Sequence, residues 1–207
     1  GRHTVDMPES GCGATPAVVS FGRLVMSGRD AGGERSDEGV GRELFEHIYG
    51  LLNEHELRYV DEVFTEDVIF QDDAWPTVMH GRAEVKEFLS AIWTAAPDFR
   101  FELVEGPYVS PDGDHAAARI RVEGTFTGSY RPPGLHPTNA PMATEFGAFY
   151  EFVEGRIRRE RVILNMYSVG VQYGALPASG TRGEQLAVVL QRMNAWRLRR
   201  RSRRRAG

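Results

Sequence analysis

The apolar residues of this chain change their period at Pro97. Before it they recur at the 3.6-residue spacing of a helix, and after it they alternate as on a half-buried strand. Helices first and strands second make an α+β fold. Ser36-Asp37-Glu38 places a capping hydroxyl ahead of acids, so a helix is expected to start there, with Leu44, Phe45, Ile48, Leu51 and Leu52 on its inner face. A short helix is expected over Leu57–Phe64, with Leu57, Val60, Val63 and Phe64 inward, and a short strand at Val68–Phe70. A third helix over Arg82–Ala95 carries Val85, Phe88, Leu89, Ile92 and Trp93 on one stripe and stops at Pro97.

Beyond Pro97, Phe99–Val109 reads as a strand and Pro111-Asp112-Gly113 as a turn. Along Ala116–Phe126, Ala116, Ala118, Ile120 and Val122 face one way, and Arg119, Arg121 and Glu123 the other. Gly128–Pro141 holds four prolines and reads as a loop. Met142–Val153 and Arg156–Tyr167 form the last hairpin around Glu154-Gly155, with Arg161, Ile163 and Asn165 sharing one face. Three helices over a curved, mostly antiparallel sheet give a cone with an apolar interior. Residues 1–35, rich in Gly, Ser, Pro and charge, read as a disordered extension. Residues 36–177 form the domain, and 178–207 hold a polar link, a helix-favouring segment at Glu184–Arg200 and an arginine-rich tail.

Composition excludes several classes. A chain of 207 residues, 41% of them hydrophobic, suffices for one domain with a substantial core. No apolar run reaches the length of a membrane span, and no cleavable export signal is read, so a cytoplasmic protein is expected. Cys12 stands alone, which leaves neither a disulfide framework nor a structural zinc site. The formal net charge is −4, but seven arginines lie between Arg197 and Arg205, and without them the remainder stands at −11. That tail lacks interleaved aromatics beyond Trp196 and any recognised module, so nucleic-acid binding is not expected.

Several strings in order carry a resemblance. They are FTEDVIFQD at 64–72, HGRAEVKEFLSAI at 80–92, APDFRFELVEG at 96–106 and AARIRVEGTFTGSY at 117–130, then PPGLHPTNAPM at 132–142, FYEFVEGRIRRERV at 149–162 and VQYGALP at 171–177. From about Glu38 to Pro177 the chain resembles the nuclear transport factor 2-like (cystatin-like) superfamily, and within it the SnoaL-like polyketide cyclases, also called ester cyclases. The resemblance implies an α+β conical barrel with one deep pocket for a hydrophobic ligand, paired as a homodimer through the sheet. It also implies ring closure by intramolecular aldol condensation, without metal or cofactor. In that chemistry an aspartate takes a proton from an activated carbon, and an apolar pocket strengthens such a base. The family aspartate aligns with Asn165, whose amide cannot accept that proton at neutral pH. The family GTHTG pattern reads Gly124-Thr125-Phe126-Thr127-Gly128, so its histidine is Phe126 here.

Other groups are therefore candidates for the chemistry. Asn165 is either an oxyanion donor or a structural amide at a strand end. Glu145, among Met142, Phe146, Phe149 and Tyr150, is the preferred substitute base if it faces the pocket and a surface acid if it does not. Asp72, beside Asp73 and ahead of Trp75-Pro76, is either a base raised by its paired acid or part of a solvated turn. Arg161 either holds an anionic substrate group or joins Arg119, Arg121 and Arg159 in cross-strand pairs with Glu123, Glu145 and Glu160. His80 and His136 fall in loops, where each is either a ligand contact or a solvent-exposed imidazole. Trp75, Trp93, Phe126, Phe146 and Tyr150 are candidate walls for a flat hydrophobic ligand. Beside the cyclase reading stand a binding protein that kept the cone without the chemistry, and a hydrolase or isomerase using the same pocket.

Overall fold

The computed structural model describes residues 34–205. The expected extension over 1–35, with Cys12, lies almost wholly outside the described residues. Helix α1 (Glu34–Leu52) begins two residues before the expected start, so Ser36 lies within it. Then come α2 (Arg58–Val63), β1 (Phe64–Asp72), β2 (Met79–His80) and α3 (Gly81–Ala95). Four long strands follow: β3 (Arg100–Val109), β4 (His115–Thr125), β5 (Pro141–Val153) and β6 (Arg156–Leu164). Helices α4 (Met166–Gln172) and α5 (Arg182–Arg205) end the described chain.

The strands form one curved sheet in the order β2-β1-β6-β5-β4-β3, open at both edges. Every pairing is antiparallel except β1 with β6, which is parallel because the chain leaves β1 and returns only after β5. Helix α1 lies against β3 and α3 against β1. Asn53, just past α1, brackets Phe101 of β3, donating to its carbonyl at 2.8 Å and accepting from its N–H at 2.7 Å. Phe45, Ile48, Leu51 and Leu52 point inward from α1 as expected, joined by Tyr49. Val85, Phe88, Leu89 and Trp93 do the same from α3. Leu57, expected inward, is exposed just ahead of α2. On α5, Leu186, Val189, Leu190 and Met193 are exposed.

The alternation expected on β4 is realised, with Ala116, Ala118, Ile120 and Val122 buried. On β6 it breaks. Glu151 pairs with Arg159, yet the next residue, Phe152, pairs with Ile157. Two residues of β6 thus oppose one step of β5, which is a β-bulge at Arg158. Arg158 and Arg159 both face solvent, and Ile157, Glu160 and Val162 face the interior. An unbroken strand from Ile157 would have turned Arg159, Arg161, Ile163 and Asn165 inward, the face expected from sequence. The bulge reverses that face. The strand also stops at Leu164 rather than Tyr167, because Asn165 caps α4 by accepting from the Ser168 N–H at 3.0 Å.

The glycines of the Gly124–Gly128 stretch mark close approaches. The N–H groups of Thr127 and Gly128 both donate to the Ala95 carbonyl at the end of α3, at 3.0 and 2.9 Å. A Cβ on Gly128 would stand 1.8 Å from the Thr94 carbonyl oxygen, and one on Gly124 would stand 2.4 Å from the Phe99 ring. Gly128→Ala must therefore separate the loop from α3. It is expected to lower stability by about 2–3 kcal/mol in equilibrium urea unfolding. Glu160 is buried at 6% exposure, and its Oε2 has no hydrogen-bond partner. Leaving such an atom unpaired costs about 1–3 kcal/mol, and an apolar replacement of similar shape removes the cost. Glu160→Leu is therefore expected to raise the urea midpoint, and a lower midpoint would show that this carboxyl supports the fold.

Candidate active site

The cone encloses a cavity of about 450 Å³, within the range of small-molecule sites. Its walls are almost entirely apolar: β1 contributes Phe64 and Phe70, α3 contributes Val85 and Phe88, and β5 contributes Met142 and Phe146. The lining residues that remain exposed, Pro133, Met166, Ala175 and Leu176, mark its mouth between the proline loop and α4. At the opposite end lie Tyr49 and Leu52 of α1 and Tyr59 of α2, all buried.

Two carboxyl groups line this cavity, Asp72 and Glu160. They stand on the adjacent parallel strands β1 and β6, where Phe70 is opposite Glu160 and Asp72 is opposite Val162. Asp72 is half-buried at the end of β1, and its Oδ1 accepts the Ala74 N–H at 2.7 Å. Burial pushes its carboxyl up to about 6. The Ala74 hydrogen bond pulls down against that, the Asp73 charge adds to the rise, and Arg161 subtracts from it. Arg161 acts weakly because its guanidinium is held by Asp73 at 2.6 Å and by the Val162 carbonyl, on the outer side of the strand. Asp73 thus takes the cation, and Asp72 faces apolar walls with little compensation.

Glu160 lies deeper. Burial drives its carboxyl well above the usual range, and the charge of Asp72 pushes the same way. Beside it the hydroxyls of Tyr49 and Tyr150 meet at 2.5 Å in the interior. Burial, then the charge of Glu160, holds Tyr49 and Tyr59 above the ordinary phenol range. Nearer the mouth, Tyr130 donates to the Ala74 carbonyl and is raised by burial and by Asp72, while burial pushes Tyr173 up to about 12. A deep acid held well above the usual carboxyl range and a shallower one raised to about 6 therefore face one hydrophobic space.

Of the residues expected at the site, Asp72 and Phe146 line the cavity. Glu145 does not. In register opposite Arg121, it lies on the outer face, 2.8 Å from Arg121 and 3.6 Å from Arg119. Asn165 is exposed at its helix cap, and Arg161 lies outside the wall; the bulge accounts for both. His80 is exposed ahead of α3, and His136 is exposed in the proline loop. Trp75 is half-buried edge-on to Phe88, behind the wall rather than in it. Trp93 packs against the His55 imidazole, rings 5.2 Å apart. Phe126 is buried behind Tyr173, stacked at 4.4 Å, so the ring that reaches the cavity is that of Tyr173. Tyr150 reaches the cavity only through its hydroxyl contact with Tyr49.

Glu160 was missed because it was expected to pair with the arginines of the sheet. Arg158 and Arg159 turn instead to Glu151 on the outer face, at 3.7 and 3.4 Å. The signal was present in the chain: Val162 and Leu164 are apolar in the same phase as Glu160, and Arg158-Arg159 interrupts the alternation before them. Tyr49 also sits one helical turn from Phe45 and Leu52, on the inward stripe of α1.

Solved structures share this architecture. AclR, a candidate hydroxylase from Streptomyces galilaeus, is 19% identical with a TM-score of 0.57, covering 76% of this chain and 98% of its own. A candidate SnoaL-like polyketide cyclase from Jannaschia sp. CCS1 is 15% identical with a TM-score of 0.56, covering 72% of this chain and 100% of its own. SalBIII, an epoxide hydrolase/cyclase-like enzyme with a role in pyran ring formation in the polyether salinomycin, is 23% identical with a TM-score of 0.52, covering 64% and 95%. Likeness at such identity carries the fold alone. No curated protein matches the chain significantly in sequence. The pattern of the SnoaL-like polyketide cyclases, however, matches residues 42–173, which takes in every strand of the sheet and both cavity acids, and the chain belongs to that family.

Proposed function

We propose that the protein is a cytoplasmic, cofactor-independent cyclase that closes a ring in a flat, hydrophobic polyketide-like carbonyl compound, with Asp72 as its base. The observation that supports this reading is a carboxyl raised to about 6 by burial, facing an otherwise apolar cavity. At neutral pH such a group is ionised yet more basic than a surface aspartate, which suits proton abstraction from an activated carbon. The steps balance without another reactant. The Asp72 carboxylate takes a proton from a carbon between two carbonyls, and the resulting enolate carbon bonds to a second carbonyl carbon of the same chain. The alkoxide so formed recovers the proton from the Asp72 carboxylic acid. The apolar walls fold the chain on itself and exclude water that would compete for the enolate. Neither Asn165 nor Glu145 is given a step, since both lie outside this space.

A binding protein without chemistry is the second reading, favoured by Asn165 and Phe126 where the family pattern has aspartate and histidine. Both readings expect a bound hydrophobic ligand. They part on turnover of a panel of poly-β-ketone probes, since a binding protein saturates without product.

The outer face of the sheet, where Phe149 and Ile163 are exposed beside arginine–glutamate pairs, is assigned to the homodimer. Phe149→Glu is expected to convert a dimer to monomer in sedimentation velocity, and an unchanged sedimentation coefficient would move the contact elsewhere.

Asp72→Asn keeps the Oδ1 acceptor for Ala74 but removes the base. Turnover is expected to fall by about 10²–10⁴ with probe binding retained. The wild-type kcat/KM is expected to drop tenfold per pH unit below about 6, and wild-type-like turnover by the variant would remove Asp72 from the mechanism.

The same substitution carries a stability signature. A carboxyl raised in the folded state favours folding when protonated, and that contribution is lost as pH rises through about 6. Asp72→Asn is therefore expected to be more stable than wild type by about 1–3 kcal/mol at neutral pH. The difference should vanish once the medium is acidic enough to protonate Asp72 in both folded and unfolded chains, as followed by thermal melts across pH.

A further inference from the structure

We propose that Glu160 is a second recognition point at the inner end of the cavity, where its carboxyl donates a hydrogen bond to a carbonyl oxygen on the buried tip of the ligand. The proposal rests on the reading that the cavity holds a hydrophobic carbonyl compound, but not on any role of Asp72 in proton transfer.

Glu160 occupies the cavity wall with Phe70 on one side and Tyr150 on the other. It is among the least exposed residues of the chain, and its Oε2 meets no protein donor or acceptor. Among the described residues no basic side chain pairs with it, because the bulge sends Arg158 and Arg159 to Glu151 on the opposite face. A carboxylate buried without a cation is held far more dearly than a neutral acid, so Glu160 carries a proton and offers an O–H. The neighbouring phenols extend this donor character. When one of the Tyr49 and Tyr150 hydroxyls donates to the other, the acceptor's own proton remains to be given. The phenol of Tyr59 also lines that end, and the other groups there, Leu52, Phe64 and Phe70 among them, cannot hydrogen-bond.

This arrangement selects one chemistry for the ligand tip. A hydrocarbon tip would leave the acid unsatisfied. A carboxylate tip would bring a charge to an apolar end with no cation to receive it, in a cavity that already holds Asp72. A neutral oxygen acceptor, a ketone or quinone carbonyl, uses the donors and leaves the walls dry. Sites built to hydrogen-bond a ligand oxygen discriminate strongly against the analogue lacking it. The ligand is thus held at two ends. Its reacting segment lies near Asp72 toward the mouth, and a remote carbonyl lies on Glu160.

The test compares 2-acetylnaphthalene with 2-ethylnaphthalene, near-isosteric probes that differ in the carbonyl, binding to the full chain by calorimetry. Wild type is expected to bind the ketone at least about tenfold more tightly. The carbonyl stretch of bound ketone is expected to shift to lower frequency. Glu160→Gln, which keeps the shape and an N–H donor, is expected to retain the preference to within about threefold. Glu160→Leu is expected to cut the preference by at least about fivefold and to shrink the shift, leaving what the phenols alone supply. No preference in wild type, or a preference undiminished in Glu160→Leu, would overturn the proposal. The ratio is read without turnover, so it is expected to persist in Asp72→Asn even if that variant shows Asp72 not to be the base. Failure of either probe to bind any variant would instead overturn the reading of the cavity as a ligand site, and this proposal with it.

Discussion

One extra residue in β6 sets the character of this molecule. Side chains on a strand alternate, so a bulge at Arg158 moves every later residue of β6 to the other face. With it, Glu160 and Val162 face the cavity, and Arg161 faces Asp73 and the outside. Without it, two arginines and Ile163 would face inward, and Glu160 would join the charged lattice of Glu105, Arg119, Arg121 and Glu145 on the outer sheet. The cavity would then hold cations needing partners rather than acids lacking them. The bulge also isolates Asp72: had Arg161 turned inward, its guanidinium would have pulled that carboxyl down rather than leaving it raised.

The apolar walls and the two acids belong to a single electrostatic arrangement. Burial raises both groups, the charge of Asp73 adds to the rise of Asp72, and the charge of Asp72 adds to that of Glu160. The half-buried member keeps a backbone N–H on Oδ1, which favours its anion and holds its rise to about 6, whereas the Oε2 of the deeper one has no such donor and its carboxyl is raised well above the usual range. A pair of like groups separated in this way by surroundings gives one site that exchanges a proton and one that holds its own. Neither state favours the fold at neutral pH, so the acids are retained at a cost to stability, as is common for functional groups.

The sequence made the architecture readable because the architecture rests on period and punctuation. Phe45, Ile48 and Leu52 at helical spacing, the alternation of Ala116 to Val122, and Glu154-Gly155 between two strands each follow from local geometry. The site was less readable because it depends on phase. Periodicity says that residues alternate, not which set faces in, and a single bulge invalidates the count beyond it. That is how Asn165, and in one of its two readings Arg161, came to be expected inside and Glu160 outside. Asp72 escaped the error because it precedes the bulge and its phase follows from Val68 and Phe70. Helix α4 was hidden for another reason. Met166–Gln172 continues the apolar character of β6, and only the cap by Asn165, a tertiary fact, divides strand from helix. Trp93 and Phe126 show the limit of composition: large aromatics build the layer behind a wall as readily as the wall itself.

Phe126 and Asn165, the two positions at which the resemblance implies a departure from the family, have definite structural roles. Phe126, where the pattern has histidine, stacks on Tyr173 and fixes that ring as a wall of the mouth, so the site gains packing where it lacks an exchangeable proton. Asn165, where the pattern has aspartate, gives its side-chain oxygen to the first turn of α4, and α4 places Met166, Val169 and Tyr173 around the opening. An aspartate would serve that cap equally well, so capping alone does not explain the amide. What distinguishes the two is charge. A carboxylate there would add negative charge to the side of the molecule that already carries Asp73, whose charge adds to the rise of Asp72. The neutral amide leaves Asp72 as the ionisable group at the mouth, which is the condition that the proposed chemistry requires.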